Sequence, residues 1–206
     1  MRKIDFRKTL KALYAPSARD FSIVDVPAMQ FVMLDGKGDP NSAPAYAEGI
    51  GWLYAIAYAL KFASKIDPKR DYTVPPLEAL WWAPGDGAAF VENRRDDWRW
   101  TQMILAPDWI TRKMFDAAVG KSAKKLGSVP QTLRLEKFTE GRAVQIMHVG
   151  PYAAEAPTIA RLHSEFLPAN GLVENGKHHE IYLSDPRKVS PAKLKTIIRQ
   201  PVKRRK

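Results

Sequence analysis

Residues 77–82 have the sequence LEALWW, and residues 178–183 have the sequence HHEIYL. Both are short runs that end in apolar residues and are rich in aromatic or β-branched residues, which is typical of strands. Each includes a glutamate near its start. Each also follows a predicted strand and a predicted helix and precedes another predicted strand. The order strand, helix, strand, strand therefore occurs twice, and this indicates a duplicated unit.

Hydrophobic spacing predicts elements along the rest of the chain. In the first half we expect strand between Phe21 and Leu34, interrupted at Pro27, a helix from Ala43 to Lys65 capped by Ser42, and strands Leu77 to Ala83 and Trp98 to Leu105, joined by the loop Pro84 to Asp97. In the second half we expect a helix from Thr111 to Leu126, strands Thr132 to Phe138 and Arg142 to Val149, a helix from Ala154 to Leu167, and strands His179 to Leu183 and Thr196 to Val202.

These elements predict an α+β fold in which tandem, pseudo-twofold β-α-β-β repeats form an antiparallel sheet with helices packed on it. We expect an N-terminal arm at residues 1–20, one domain at residues 21–202 and a basic tail at residues 203–206. Within the domain, repeat one covers about 21–108, a connecting helix about 109–127 and repeat two about 128–202. The two repeats would enclose a central ligand cleft.

Composition narrows the class of protein. The chain has 206 residues, no cysteine and no long apolar run, so we expect a soluble protein of a reducing compartment, the cytoplasm, as a monomer or homodimer without a membrane segment. Its net charge of +11 raises nucleic acid as an alternative partner. The positive residues are dispersed and no DNA-binding motif is present, so a basic surface is the favoured interpretation.

Side-chain alternation along the two middle strands selects candidate site residues. His178, Glu180 and Tyr182 share one face of the second strand, and Glu78 and Trp82 share one face of the first. A pseudo-twofold axis would make Glu78 and Glu180 equivalent in one cleft. A carboxylate beside aromatic rings can bind a flat cation or act as a general acid or base. The alternative is an ordinary surface glutamate in each strand.

Four tryptophans lie within twenty residues, at positions 81, 82, 98 and 100. Trp98 and Trp100 share a face, and we expect them, with Trp82, to line the ligand cleft, although tryptophan is more often part of a core. The histidines lack the spacing of metal ligands, so no metal site is predicted. Nucleotide-binding and nucleophile-elbow signatures are absent, so no cofactor is predicted.

Four segments taken together resemble one known family. They are PPLEALWW at residues 75–82, RDDWRW at 95–100, HEIYLSDP at 179–186 and KTIIRQPV at 195–202. They resemble the GyrI-like small-molecule-binding proteins from bacteria, and the resemblance extends from about Phe21 to Val202. It is closest to stand-alone members without a DNA-binding domain. Ala79 stands where those members would have glycine.

The resemblance implies a tandem of SHS2 repeats around a ligand cleft, with a glutamate that holds flat, cationic drugs. Glu180 matches that position. The implied function is the binding of hydrophobic, flat or cationic small molecules for sequestration or detoxification. The alternative is a hydrolase that opens cyclopropane-type rings of DNA-alkylating natural products. In such an enzyme Glu180 would activate a water, Tyr182 would position it, and Trp82 would stack on the substrate.

Overall fold

The computed structural model describes residues 3–85 and 94–205. Residues 86–93 of the predicted loop and Lys206 of the predicted tail lie outside this range. The strands are β1 (Ser22–Val26), β2 (Met29–Lys37), β3 (Leu77–Trp82), β4 (Arg99–Leu105), β5 (Arg134–Phe138), β6 (Gly141–Val149), β7 (Leu172–Glu174), β8 (His178–Tyr182) and β9 (Lys195–Arg204). The helices are α1 (Phe6–Thr9), α2 (Lys11–Tyr14), α3 (Pro44–Ile66), α4 (Arg112–Leu126), α5 (Ala156–Arg161) and α6 (Leu167–Ala169).

The chain divides into two compact units. The first unit contains residues 3–9 and the described part of 29–138, and its antiparallel strands have the order β5-β2-β4-β3. The second unit contains residues 10–28 and 139–205, and its antiparallel strands have the order β1-β6-β9-β8, with β7 paired to the end of β9. Each unit carries helices on its strands, which confirms the α+β class.

The two units share a pattern of strand pairing. In each unit the chain order is strand, helix, strand, strand. The last long strand pairs with the other two: β4 lies between β2 and β3, and β9 lies between β6 and β8. The outer strand of each unit, however, comes from elsewhere in the chain: β5 pairs with β2, and β1 pairs with β6. The compact units thus differ from the chain order of the predicted repeats, whose boundaries and twofold axis stay predictions.

Helix α3 covers one face of the sheet in the first unit. It begins at Pro44, which suits a first helical position, and no side chain caps it. The prediction that Ser42 caps this helix is therefore wrong. Leu53, Ile56 and Leu60 recur at helical spacing and are fully or almost fully buried. This apolar stripe fixes which face of α3 meets the sheet.

A glycine allows α3 to approach the sheet closely. A Cβ at Gly49 would lie 2.2 Å from Gln102 Oε1 and 3.1 Å from Leu34 Cδ2. The Gln102 side chain cannot yield cheaply, because it is buried and its Nε2 donates a hydrogen bond to the Tyr46 carbonyl at 2.9 Å. Glycine is therefore required at this helix–sheet contact despite its low helix propensity.

We expect Gly49→Ala to lower the free energy of unfolding by about 1–3 kcal/mol, because the added methyl group overpacks this contact. Gly51→Ala is the matched control in the same helix. A Cβ at Gly51 meets nothing within 4 Å, so the better helix propensity of alanine should raise stability by about 0.5–1 kcal/mol. Urea unfolding of the two variants measures both changes. A change of the same sign in both variants would contradict the prediction.

The helical segment of the second unit departs from the predicted continuous helix over Ala154 to Leu167. A 3₁₀ turn at Tyr152–Ala154 precedes α5, and a π-helical turn at Leu162–Phe166 separates α5 from α6. The π turn and α6 each contribute a leucine to a buried cluster. Its members are Val144, Leu162, Leu167, Leu172 and Val202. Strand β7, which supplies Leu172, was not predicted because three residues give no measurable alternation.

The predicted N-terminal arm is helical in part and contributes to both units. Phe6 of α1 packs against Tyr72 and Trp109 of the first unit, with ring centroids 6.3 and 6.1 Å apart. Leu13 and Tyr14 of α2 are buried, and the Ser17 carbonyl accepts a hydrogen bond from Met147 N in the second unit. Among the described helices, none is long and apolar enough to cross a membrane.

Candidate functional site

Strand β8 brings together three of the predicted site residues. Tyr182 Oη donates a hydrogen bond of 2.7 Å to Glu180 Oε2, and His178 Nε2 lies 3.3 Å from Glu180 Oε1. The side chains of His178 and Glu180 are mostly buried, with 14% and 16% exposed. The predicted alternation along this strand is confirmed. It places a carboxylate between a phenol and an imidazole.

The Glu180 face of the sheet is the face that the helices of the second unit cover. Glu180 pairs with Ile198 in β9, so their side chains point the same way. Val202 of β9 and Val144 of β6, which pairs with Gln200, belong to the same face, and both pack in a cluster with Leu162 of the π turn and Leu167 of α6. The carboxylate therefore lies in a region of low dielectric rather than on an open surface.

A second carboxyl group, which the sequence analysis did not single out, lies beside Glu180. Glu155 precedes α5 and is 4% exposed. Burial raises the pKa of Glu155, and the charge of Glu180 raises it further. The Thr196 hydroxyl lowers this pKa. Burial also opposes ionisation of Glu180, but the neighbouring His178 imidazole and the hydrogen bond from Tyr182 lower the pKa of Glu180 below its usual value. Glu180 is the ionised member of the pair, and Glu155 is the protonated one.

An aromatic pair borders the carboxylates. Tyr152 and Tyr182 pack edge to face, with ring centroids 5.6 Å apart and an interplanar angle of 80°. Tyr152 is 40% exposed, so this edge of the site is accessible to solvent. The sequence signal for Tyr152 and Glu155 is the Gly150–Pro151 turn, which directly follows β6.

Glu78 occupies a different position in its own unit. It is fully buried and pairs with Met103 in β4. Its neighbour Trp81 stacks on Tyr46 of α3 at 5.7 Å, so alternation puts Glu78 on the face away from the helix. Glu180 lies on the helix-covered face of its unit. The predicted equivalence of Glu78 and Glu180 is therefore wrong, and a cleft lined by both residues stays a prediction.

The remaining predicted aromatic residues lie in the first unit. Trp100 is fully buried, with its ring centroid 5.1 Å from that of Tyr46, and Trp98 packs edge to face on Trp81 at 5.9 Å. Both belong to the α3 side of the sheet, so Trp100 is a core residue in this structure. Trp82 is partly buried on the opposite face, which it shares with Glu78 as predicted.

A buried ionic network occupies the other face of the sheet in the second unit. Arg199 donates to Glu140 Oε2 at 3.1 Å and to Gln145 Oε1 at 2.9 and 3.0 Å, and His179 Nδ1 lies 2.9 Å from Glu140 Oε1. Burial opposes ionisation of Glu140, but the charges and hydrogen bonds of His179 and Arg199 lower the pKa of Glu140 to about 2. Arg199 and Gln145 also donate to the carbonyls of Leu13 and Ala12, which fixes the segment around α2.

His178 and His179 face opposite sides of β8, as predicted: His178 contacts Glu180, and His179 contacts Glu140. Within residues 3–85 and 94–205, no group of three or more histidine or acidic side chains is arranged to hold a metal ion. The described side chains at the Glu180 face include the carboxyl groups of Glu155 and Glu180, the imidazole of His178 and the phenols of Tyr152 and Tyr182.

Comparison with known proteins identifies the family. Residues 19–203 match the model of the GyrI-like small molecule binding domain, and the chain belongs to this family. The solved structure of an uncharacterized conserved protein from Listeria innocua is 43% identical, with a TM-score of 0.88, over 98% of this chain and all of that one. Another Listeria innocua structure, described as a hydrolase, is 41% identical, with a TM-score of 0.86 and the same coverage.

A more distant structure, the C-terminal domain of EcmrR, is 14% identical with a TM-score of 0.57 over 90% of this chain and 98% of that one. At this identity the likeness concerns the fold alone. None of the curated proteins compared with the chain matches it.

Proposed function

We propose that this protein binds hydrophobic, flat, cationic small molecules at the Glu180 face of its second unit and thereby sequesters or detoxifies them. The observation that carries the proposal is an ionised carboxylate, Glu180, held under the helices by Tyr182 and His178. A buried negative charge attracts a cation more strongly than an exposed one does. The edges and faces of Tyr152 and Tyr182 add apolar contact and a cation–π interaction.

The proposal places the protein in the cytoplasm, in agreement with the absence of cysteine. Its partner is the small molecule rather than nucleic acid, since the positive charge is dispersed along the chain. The protein would act as a monomer or a homodimer.

Ligand charge provides the test. We expect ethidium, a flat permanent cation, to bind the wild-type protein at least about tenfold more tightly than phenanthridine, an uncharged ring system of related shape at neutral pH. A buried ion pair or charged hydrogen bond contributes about 1.5–3 kcal/mol, enough for this difference. Fluorescence titration measures ethidium, and competition measures phenanthridine. Equal affinities would contradict a role for Glu180 as the recognition charge.

The second candidate function is hydrolysis of strained, cyclopropane-type rings. It is supported by the pair of carboxyl groups and by the description of a 41% identical structure as a hydrolase. Glu180 would accept a proton from a water placed by Tyr182 while the water oxygen attacks a ring carbon. The ring C–C bond would break, and its electron pair would take up the proton that Glu155 holds. The low pKa of Glu180 makes it a weak base, because general bases work best with a pKa near the working pH. This property favours binding as the main function.

The two functions differ in one observable. A hydrolase converts a cyclopropane-containing electrophile to a product one water heavier, and mass spectrometry detects that product. A sequestering protein returns the compound unchanged after prolonged incubation. Glu180→Gln separates enzymatic conversion from spontaneous hydrolysis, because the amide cannot accept the proton of a water molecule.

A further inference from the structure

Glu155 is a second buried acid at this site. Binding of a cation by Glu180 does not by itself require it. It is 4% exposed, and its Oε1 has no hydrogen-bond partner among the described residues. Buried polar atoms almost always have a partner, and an exception calls for an explanation. The carboxyl group lies beside Glu180, at the same face of the sheet. Its Oε1 is therefore a buried acceptor whose missing partner a ligand at this face would supply.

Two neighbouring buried carboxyl groups cannot both carry a charge at low cost. His178 and Tyr182 stabilise the charge on Glu180, so the proton belongs to Glu155. The pair then has one negative charge and one proton at neutral pH, and the two groups titrate as a unit. A positive charge placed beside both carboxyl groups favours loss of that proton.

We propose that the Glu155–Glu180 pair binds a ligand monocation by exchanging the proton held on Glu155 for the positive charge of the ligand. The proton passes to solvent, and the pair becomes a dicarboxylate that contacts the cation. This inference rests on the proposed function, namely that cations bind at this face. It adds that the chain has a proton-linked affinity and that Glu155 is a ligand-binding residue.

Other titratable groups surround the pair and define the controls. His178 and Tyr182 face it from β8. His148 lies opposite Thr196 in the β6–β9 register and therefore faces the same way, with its Nε2 3.2 Å from the Pro151 carbonyl. Glu174 of β7 interacts electrostatically with His178, which contacts Glu180. His178 contacts Glu180 directly, so its contribution to the proton count is tested separately.

Calorimetric titration of the full chain with ethidium in phosphate and in Tris measures the number of protons exchanged, because the two buffers differ in ionisation enthalpy. We expect the wild-type protein to release about one proton per ethidium near pH 7. The affinity should then rise by up to about tenfold per pH unit while Glu155 is protonated in the free protein. Glu155→Gln should release almost none and bind more weakly, with an affinity that changes little with pH.

Two variants locate the source of the proton. His178→Gln should still release a proton, since Glu155 is intact. Glu165→Gln, at an exposed acid of the same helical segment, should match the wild type in proton count. The number of protons that the wild-type protein releases is measured without any variant, so the inference remains testable even if Glu155→Gln fails to fold. Ethidium binding without proton release, or equal release in wild type and Glu155→Gln, overturns the exchange and leaves the proposed function standing. Failure of ethidium to bind at any pH overturns both.

Discussion

Replacement of Arg199 by methionine should lower the free energy of unfolding by about 3–5 kcal/mol, the usual cost of removing one partner from a buried ion pair. Arg199 and Glu140 are each about 1% exposed. Without the guanidinium group, Glu140 Oε2 loses the donor it has in Arg199, while Oε1 keeps its contact with His179. Gln145 Oε1 loses both hydrogen bonds from Arg199. The Leu13 carbonyl also loses a donor 2.6 Å away, so the segment around α2 should loosen.

Urea unfolding measures this loss, and Arg187→Met is the matched control. Arg187 pairs with Asp185 at 2.9 Å, but its side chain is 84% exposed, and exposed pairs contribute about 0–1 kcal/mol. The double variant Arg199→Met with Glu140→Met should lose less than the sum of the single losses, because Glu140 no longer remains as a buried carboxylate without the guanidinium group. Similar small losses in Arg199→Met and Arg187→Met would contradict the prediction.

Acid unfolding provides a second readout of the same network. The pKa of Glu140 is lower in the folded chain than its ordinary value of about 4.5, so this group stabilises the fold above that value. The stabilisation is lost as the pH falls from about 4.5 toward 2. In Arg199→Met the pKa of Glu140 rises, and acid unfolding should begin at a higher pH than in the wild type.

Sequence patterns predicted long elements well, because their hydrophobic spacing repeats several times. The buried residues of helix α3 recur at helical spacing, and Pro27 separates β1 from β2 as expected. The π turn and β7 depend on packing around the Val144 cluster, which local spacing does not encode. The outer strands β1 and β5 were assigned to repeats by chain order, but strand pairing, which depends on distant residues, decides the unit they join.

The sequence predicted the site residues that lie on one strand, but it did not predict the residues that other elements bring to the site. Alternation along β8 put His178, Glu180 and Tyr182 on one face, and their contacts confirm it. Alternation does not say which face a helix will cover, and this is why Glu78 was wrongly matched to Glu180. Glu155 reaches the site through the turn after β6, and only tertiary packing reveals its contact with Glu180.

The second large effect concerns Glu180 itself. We expect Glu180→Gln to reduce the affinity for ethidium by about 10- to 100-fold, because a charged contact of about 1.5–3 kcal/mol is lost. Phenanthridine should lose less than about threefold, since the apolar contacts with Tyr152 and Tyr182 are unchanged. The amide is close in shape to the carboxylate and can still accept from Tyr182 Oη, so the fold should persist. Circular dichroism checks that it does.

Glu155 limits the loss of ethidium affinity in Glu180→Gln, and a double variant that removes both carboxyl groups tests this. With the charge of Glu180 removed, one cause of the raised pKa of Glu155 disappears, so part of the negative charge can return on Glu155. The double variant Glu155→Gln with Glu180→Gln removes both carboxyl groups and should bind ethidium more weakly than either single variant, and no more tightly than it binds phenanthridine. Glu165→Gln should bind ethidium as the wild type does. If the double variant retained full affinity for ethidium, the cation would have to bind elsewhere on the chain.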